Sequence, residues 1–498
     1  MNPPRATAAP SARYRTVPAP PTPAQPGTES PRATLADVLV GLSPALDLLE
    51  GHTAGHTARA CCIGMRLGRE VGVPAAQLHA LYFALLLKDA GGSPTAARLA
   101  ALFGADDQVV KPALRLGDWG SRLARAQVAW RLGARGTEAA PLTVRARTVA
   151  RVAGQPDLMR ELHEVRGARG ADAVRQLGLP EESAAAIRSM EERWDGSGHP
   201  GGVAGEAIPL LARILHVAQC LDTVMAARGK DRAIDWLVAR RGRWFDPALV
   251  DRVKGWRRDA AWWGLVWTAE SDGEVVAMAP AGHTGTTEED AIDRAAGVFA
   301  EIVDGKSPFT LGRSATVARH AEAIGWELGF HAGAMQLVRR AGLLHDIGNV
   351  TLSNRLLDRP DILTEPERQL VQAHPRHTFE LLSKVDALAA LAHLAASHHE
   401  RLDGSGYPWG LQADMLTLPA RVLAVADVLT ALTSCTPWRE GMPIERALEV
   451  LRGERGRRLD GDCVEAVERL VASGTIDAGA PQPGMAEHLA GMQPALAS

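Results

Sequence analysis

This chain has almost no surplus of charge. Its 55 Lys and Arg stand against 58 Asp and Glu, leaving a formal net charge of -3 over 498 residues. That balance removes the electrostatic basis for binding a nucleic-acid polymer or an anionic membrane. Cysteine is scarce as well. The five present (Cys61, Cys62, Cys220, Cys435 and Cys463) form neither CxxC pairs nor a secreted spacing, which points to a reducing, cytoplasmic setting. No run approaches the roughly 18–20 apolar residues of a membrane span. The arginine-bearing amino terminus also lacks the apolar stretch of a secretory signal. Strand pattern is nearly missing: only residues 265–268 and 274–278, about Ser271-Asp272-Gly273, predict a short β-hairpin.

Helical pattern is abundant. Apolar residues make up 46% and charged residues 23%, the balance of ordinary globular domains. Ile292, Ala295, Phe299 and Ile302 recur at helical spacing, as do Val338, Ala341 and Leu344 just ahead of His345. Residues 1–33 and 474–498 have compositions that bury too little apolar surface to offset chain entropy, so both read as disordered.

An internal repeat organises the rest. Asp195-Gly196-Ser197-Gly198-His199-Pro200 matches Asp403-Gly404-Ser405-Gly406-Tyr407-Pro408 at an offset of 208, and Ala212-Arg213-Ile214-Leu215 matches Ala420-Arg421-Val422-Leu423 at the same offset. Upstream, Lys88-Asp89-Ala90-Gly91 matches His345-Asp346-Ile347-Gly348 at 257, and Gly55-His56-Thr57-Ala58 matches Gly312-Arg313-Ser314-Ala315 at 257. The difference is a net insertion of 49 residues in the first copy, between its two motif regions. Arg-rich segments running into Phe245-Asp246 and Leu459-Asp460, 214 apart, read as slipped positions of the same repeat. The expected organisation is a leader (1–33), a first helical domain (34–258), a linker carrying the hairpin (259–283), a second helical domain (284–473) and a tail (474–498). Trp256, Trp262, Trp263 and Trp267 fall at the junction, where packing between halves is the expected use of their rings.

Half of the sixteen histidines lie between residues 320 and 399. The informative set is His345-Asp346, His374, His398-His399 and Asp427. One buried histidine on a helix is ordinarily hydrogen-bonded core. Six ligand-type residues in this order, joined to the glycine-rich run at 403–408, are far more specific. Histidine and carboxylate suit divalent transition metals. An adjacent His-Asp pair can place its imidazole on one metal while its carboxylate reaches a second. Two metals about 3.5–4 Å apart can share a hydroxide nucleophile and hold a phosphoryl oxygen.

His345-Asp346-Ile347-Gly348, then residues 398–408, then residues 420–427 ending at Asp427 resemble the HD-GYP branch of the HD phosphohydrolases, from about Phe299 to about Leu470. The resemblance implies an all-α fold of two tandem HD-type domains. It implies a centre of two or three divalent metals, usually iron or manganese, and hydrolysis of cyclic di-GMP to a linear dinucleotide or GMP. It carries over His345, Asp346, His374, His398, His399 and Asp427 as metal ligands, with His345 and Asp346 at the catalytic centre, and Gly406, Tyr407 and Pro408 as the loop beside the metals. Where the family has a first ligand histidine, this chain has Arg313; where a lysine follows the His-Asp motif, it has Asn349. Both become candidates for contact with substrate phosphate. Thr430 and Cys435-Thr436-Pro437-Trp438 also depart from the pattern. Two other readings are an HD phosphohydrolase acting on another phosphoester, and a dinucleotide-binding signalling scaffold.

The first copy inverts these losses. His56 stands where the second copy has Arg313, with His52 one turn earlier. Lys88 replaces the motif histidine, Met190 and Glu191 the paired histidines, and Gln219 the last aspartate. A lysine in a metal pocket repels the cation, so this copy reads as folded and metal-free. It is expected to serve as a surface for a second copy of the chain or a signalling partner.

Overall fold

A computed structural model of the chain describes residues 34–117, 122–132, 142–155, 157–268, 272–279 and 288–476. The expected leader, Ser271 of the hairpin turn and the tail from 477 lie outside these residues. The first copy opens with α1 (Leu35–Leu49), α2 (His56–Glu70) and α3 (Ala75–Leu87). Four helices follow: α4 (Ala96–Phe103), α5 (Asp107–Arg115), α6 (Arg122–Leu132) and α7 (Leu142–Ala153). The copy closes with α8 (Leu158–Gln176), α9 (Glu181–Arg188), α10 (Leu210–Arg228), α11 (Lys230–Val238) and α12 (Pro247–Gly255). The junction holds α13 (Ala260–Thr268) and α14 (Asp272–Ala277). The second copy begins with α15 (Glu288–Asp304), α16 (Arg313–Glu327) and α17 (Ala332–Leu344), then α18 (Asn354–Leu357), α19 (Glu365–Gln372), α20 (His374–Leu382) and α21 (Asp386–Ala396). It ends with α22 (Leu418–Thr433), α23 (Ile444–Glu454) and α24 (Gly461–Ala472).

The repeat is visible in these bounds. α2 and α3 precede α16 and α17 by 257 residues at both ends, and α10 begins 208 residues before α22. The later slip to 214 has a local cause. Gly229 alone joins α10 to α11, whereas residues 434–443 join α22 to α23. Beyond it the copies realign: Arg213 pairs with Asp246 at 2.6 Å and Arg421 with Asp460 at 3.0 Å.

The junction departs from the sequence expectation. Among the described residues there is no strand, and the predicted hairpin is replaced by α13 and α14. Tertiary packing overrides the local alternation. Trp263 and Val266, three residues apart, face inward together with Val275, which helical spacing permits and a strand pairing does not. Trp256 and Trp262 lie against the Arg66 guanidinium at 4.6 and 4.4 Å, so these rings pack on α2 of the first copy rather than between the halves; Trp267 is 44% exposed. At the other end, Ile476 falls in the expected tail but is buried, its N–H donating to the Leu470 carbonyl.

One apolar core runs through both copies, and the described residues from 34 onward form a single compact unit. α1 packs on α15, α20 and the 3-10 turn Ile347–Thr351 of the second copy. The approach is close enough that a Cβ at Gly41 would lie 2.5 Å from Val385. The inserted helices gather a smaller core of their own from Leu102, Phe103, Val110, Leu114, Val152 and Leu158. α10 has the length and hydropathy of a membrane span, but 72% of it is buried inside the fold.

Candidate metal centre

Three histidines of the second copy share one local geometry. His345 caps α17 and its Nδ1 lies 2.8 Å from the Gly342 carbonyl; His374 begins α20 with Nδ1 2.7 Å from the Val371 carbonyl; His398 follows α21 with Nδ1 2.7 Å from the Ala395 carbonyl. A carbonyl only accepts, so each Nδ1 carries a proton and each ring turns its Nε2 inward. All three Nε2 atoms point at the same carboxylates. His374 Nε2 is 3.1 Å and His398 Nε2 3.7 Å from Asp346 Oδ1, whereas His345 Nε2 is 3.3 Å from Asp346 Oδ2 and 3.7 Å from Asp427 Oδ1. His399 Nδ1 lies 3.5 Å from Asp427 Oδ2. All six predicted ligands therefore gather around one point, and all but His399 are buried.

The backbone that positions them is tightly specified. Thr378 on α20 donates its hydroxyl to the His345 carbonyl at 2.8 Å and accepts from Gly348 N–H at 3.0 Å. A Cβ at Gly348 would lie 2.0 Å from the His374 carbonyl oxygen, so only glycine lets the His-Asp turn meet α20. Glu400 holds the glycine-rich loop by accepting from Trp409 N–H at 2.8 Å and Leu411 N–H at 2.9 Å. This sets Tyr407 with its ring 4.7 Å from that of His399. Gly406 packs flat on the backbone of Glu400 and Arg401. Gly406, Tyr407 and Pro408 thus border the cluster, and Asn349 lies half-buried on the turn that follows Asp346.

Arg313 has partners within the cluster: Nη2 donates to Asp427 Oδ1 at 2.7 Å, and Nε lies 3.9 Å from Asp346 Oδ2. The reason is local. Arg313 is the first residue of α16, and Ser314 beside it is held by both oxygens of Asp304 at 2.7 Å.

The electrostatics are those of a cation site. Burial opposes ionisation of Asp346, but His345 and His374 hold it well below the usual carboxylate range. Burial likewise opposes Asp427, and Arg313 and His399 bring it down. Burial would lower His345, yet the two carboxylates raise it to about 9. His398 is pushed down to about 3 by burial and by His345. His374 Nε2 and His398 Nε2 face each other at 3.1 Å although both rings have committed their protons elsewhere. Two acceptors turned on each other and on a carboxylate are a donor set for a metal, and His374–His398–His399 and His345–Asp346–His398 are each compact enough to hold one ion.

The first copy fills the same pocket with protein. Asp89 stands for Asp346, and Asp47 bonds Thr57 at 2.6 Å as Asp304 bonds Ser314. Lys88 Nζ lies 2.7 Å from Asp89 Oδ2, while Arg115 and Arg166 approach Asp89 Oδ1 at 3.0 and 2.5 Å. Arg166 occupies the position of His374 at the 208 offset. A Cβ at Gly91 would meet the Arg166 carbonyl at 1.9 Å, repeating the Gly348–His374 contact. Arg115 comes from inserted helix α5, and it also reaches Glu50 at 3.0 Å and His52 Nε2 at 2.6 Å. His56 is bound to Asp222 at 2.7 Å and belongs to its own copy's pocket. Arg166 was readable from the 208 register; Arg115 has no counterpart that would have announced it.

Comparison with known proteins agrees with this architecture. A sequence profile of the HD domain matches residues 119–249 and 297–463. The chain is 35% identical over 437 residues, 88% of its length and 94% of the relative's, to 3'3'-cGAMP-specific phosphodiesterase 3 of Vibrio cholerae. It is 39% identical over 168 residues, 32% of this chain and 43% of the relative, to the cyclic di-GMP phosphodiesterase response regulator RpfG of Xanthomonas campestris. The crystal structure of a cyclic GMP-AMP specific phosphodiesterase of V. cholerae aligns with a TM-score of 0.59 at 31% identity, covering 88% of this chain and 97% of that one.

Proposed function

The chain belongs to the HD-GYP branch of the HD phosphohydrolases, and on that footing we propose that its second copy hydrolyses a 3'3'-linked cyclic dinucleotide, cyclic GMP-AMP ahead of cyclic di-GMP. The observation that carries the activity is the convergence of three Nε2 atoms, His399 and two ionised carboxylates. The order of substrates rests on the relative that shares nearly the whole length of this chain.

His345, Asp346, His374, His398, His399 and Asp427 would hold divalent iron or manganese. Bound there, the metal supplies Lewis acidity toward a phosphoryl oxygen and a nucleophile from water at neutral pH. The chain's own groups do the rest. Asp346 and Asp427 fix the imidazoles by charge, and the carbonyl bonds of His345, His374 and His398 fix their tautomers. Tyr407 and the loop at Gly406 and Pro408 would wall the side on which a dinucleotide lies, and Asn349, half-buried on the turn after Asp346, would contact its phosphate. With all five cysteines free, a cytoplasmic location belongs to the same reading. The first copy acts as packing support and as a surface for a second copy or a signalling partner.

The test is turnover of a panel of cyclic dinucleotides and simpler phosphodiesters by anaerobically purified protein loaded with iron or manganese. Cyclic GMP-AMP should be opened to a linear dinucleotide faster than cyclic di-GMP. Product only from non-cyclic phosphoesters would move the assignment to another HD phosphohydrolase. Tight dinucleotide binding with no product would move it to a binding scaffold.

A further inference from the structure

The two oxygens of Asp346 look onto two different surroundings. Oδ1 faces only imidazole nitrogens, His374 Nε2 at 3.1 Å and His398 Nε2 at 3.7 Å, with His399 in the same compact donor group. Oδ2 faces His345 Nε2 at 3.3 Å and the Arg313 guanidinium at 3.9 Å. The second carboxylate on that side, Asp427, spends Oδ1 on Arg313 at 2.7 Å. One side of the cluster is thus imidazole nitrogens on a carboxylate oxygen, and the other already contains a cation that belongs to the chain.

We infer that the centre takes a single metal ion, on the Oδ1 side, and that Arg313 is the second cation. The first copy shows the same substitution carried to completion. There Lys88 sits on the Oδ2 side of Asp89 at 2.7 Å, and Arg115 and Arg166 on the Oδ1 side at 3.0 and 2.5 Å. Side-chain cations thus stand on both sides of Asp89, although His52, His56 and Asp89 also lie close enough together to hold an ion. In the second copy only one side has such a cation. A guanidinium also cannot leave or exchange: it is tied to α16, whose first turn is fixed through Ser314 and Asp304. A metal approaching Asp427 would have to displace a charge-assisted hydrogen bond and sit against a permanent positive charge. Arg313 then acts as a positioning residue, holding Asp427 and supplying fixed charge beside the reacting phosphoryl group.

This rests on the metal-dependent reading above, and metal counting separates the two. The full chain is loaded with manganese, freed of loose ions by gel filtration, and measured for metal per chain and by electron paramagnetic resonance. Wild type should hold one manganese with the signal of an isolated ion. Arg313→His, which returns a neutral donor nitrogen to that side, should rise to two with a spin-coupled signal, and His374→Ala should lose the ion. Two or more manganese per wild-type chain, or a folded Arg313→His that stays at one, overturns the inference while leaving the phosphodiesterase reading standing. No bound manganese in wild type overturns both. The wild-type count and spectrum decide the matter even where the variant does not fold.

Discussion

The two copies place the same backbone under opposite electrostatics, and that contrast shows what the pocket needs. In both, a buried aspartate at the end of the third helix is surrounded by groups delivered from the next helices, across a glycine that lets them touch. The first copy neutralises that aspartate with Lys88, Arg115 and Arg166. The second surrounds it with His345, His374 and His398 and turns their Nε2 atoms inward. A carboxylate buried in this fold must be compensated. Covalently attached cations compensate it permanently and yield structure; imidazoles leave the compensation to an exchangeable ion and yield chemistry.

The largest effect should come from removing each aspartate in turn. Asp346→Ala takes away the group on which three imidazoles converge, so bound metal and turnover should both disappear, turnover by about a thousandfold or about 4 kcal/mol of barrier. The fold should survive, because the histidines left behind can become neutral. Asp89→Ala should do the reverse. It strands the buried Lys88 and leaves Arg115 and Arg166 to Glu50, at 3.0 and 2.9 Å, which costs about 3–5 kcal/mol of stability, while metal per chain stays unchanged. Denaturant unfolding and metal analysis on both variants check this. Equal metal loss from both would erase the distinction between the copies.

How much of this contrast was legible in the sequence follows from what each residue's role depends on. The six clustered residues and the duplication could be read because spacing along helices carries them, and the register even survives as helix bounds. Arg166 was also within reach, at the 208 offset from His374, but the repeat has to be read position by position to find it. Arg115 was not: it enters the pocket from the inserted α5, and its meeting with Asp89 depends on tertiary packing. For Arg313 the sequence marked the position but not the partner, since its direction is set by the Ser314–Asp304 clasp. The junction hairpin failed because a short alternating run is weaker than the burial of Trp263 and Val266 on one helical face.

A smaller effect separates the copies by proton count. In the second copy the carboxylates raise His345 to about 9 against burial. In the first, burial and Lys88 drive His56 well below its ordinary value. A histidine raised in the fold contributes stability that is fully present below about 6.5 and lost as pH rises through about 9. A metal drawing off the charge of Asp346 must expel that proton. Metal binding near pH 7.5 should therefore release about one proton, and affinity should rise about tenfold per pH unit up to about pH 9. Calorimetry in buffers of different ionisation enthalpy measures the release. His56→Gln should leave it unchanged, and a pH-independent affinity between 7 and 9 would place the proton elsewhere.

The smallest effect tests whether the inserted segment reaches the second site. Gln108 on α5 donates its side-chain N–H to the Val350 carbonyl at 2.6 Å, and neighbouring Asp107 accepts from Asn354 N–H at 3.1 Å. Val350 lies in the 3-10 turn that follows Asp346, so α5 touches both pockets: Arg115 fills the first and Gln108 steadies the turn behind the second. Gln108→Ala removes one partly buried hydrogen bond, a loss of about 1 kcal/mol. That corresponds to a melting shift of about 1–2 °C in a chain of this size. Turnover should stay within twofold. Asp346 is held from the other side, by the Gly348–Thr378–His345 bonds and the approach of α20, and these do not pass through Val350. A tenfold fall in turnover with metal content intact would show instead that the insertion sets the geometry of the metal turn. The first copy would then be part of the catalytic apparatus.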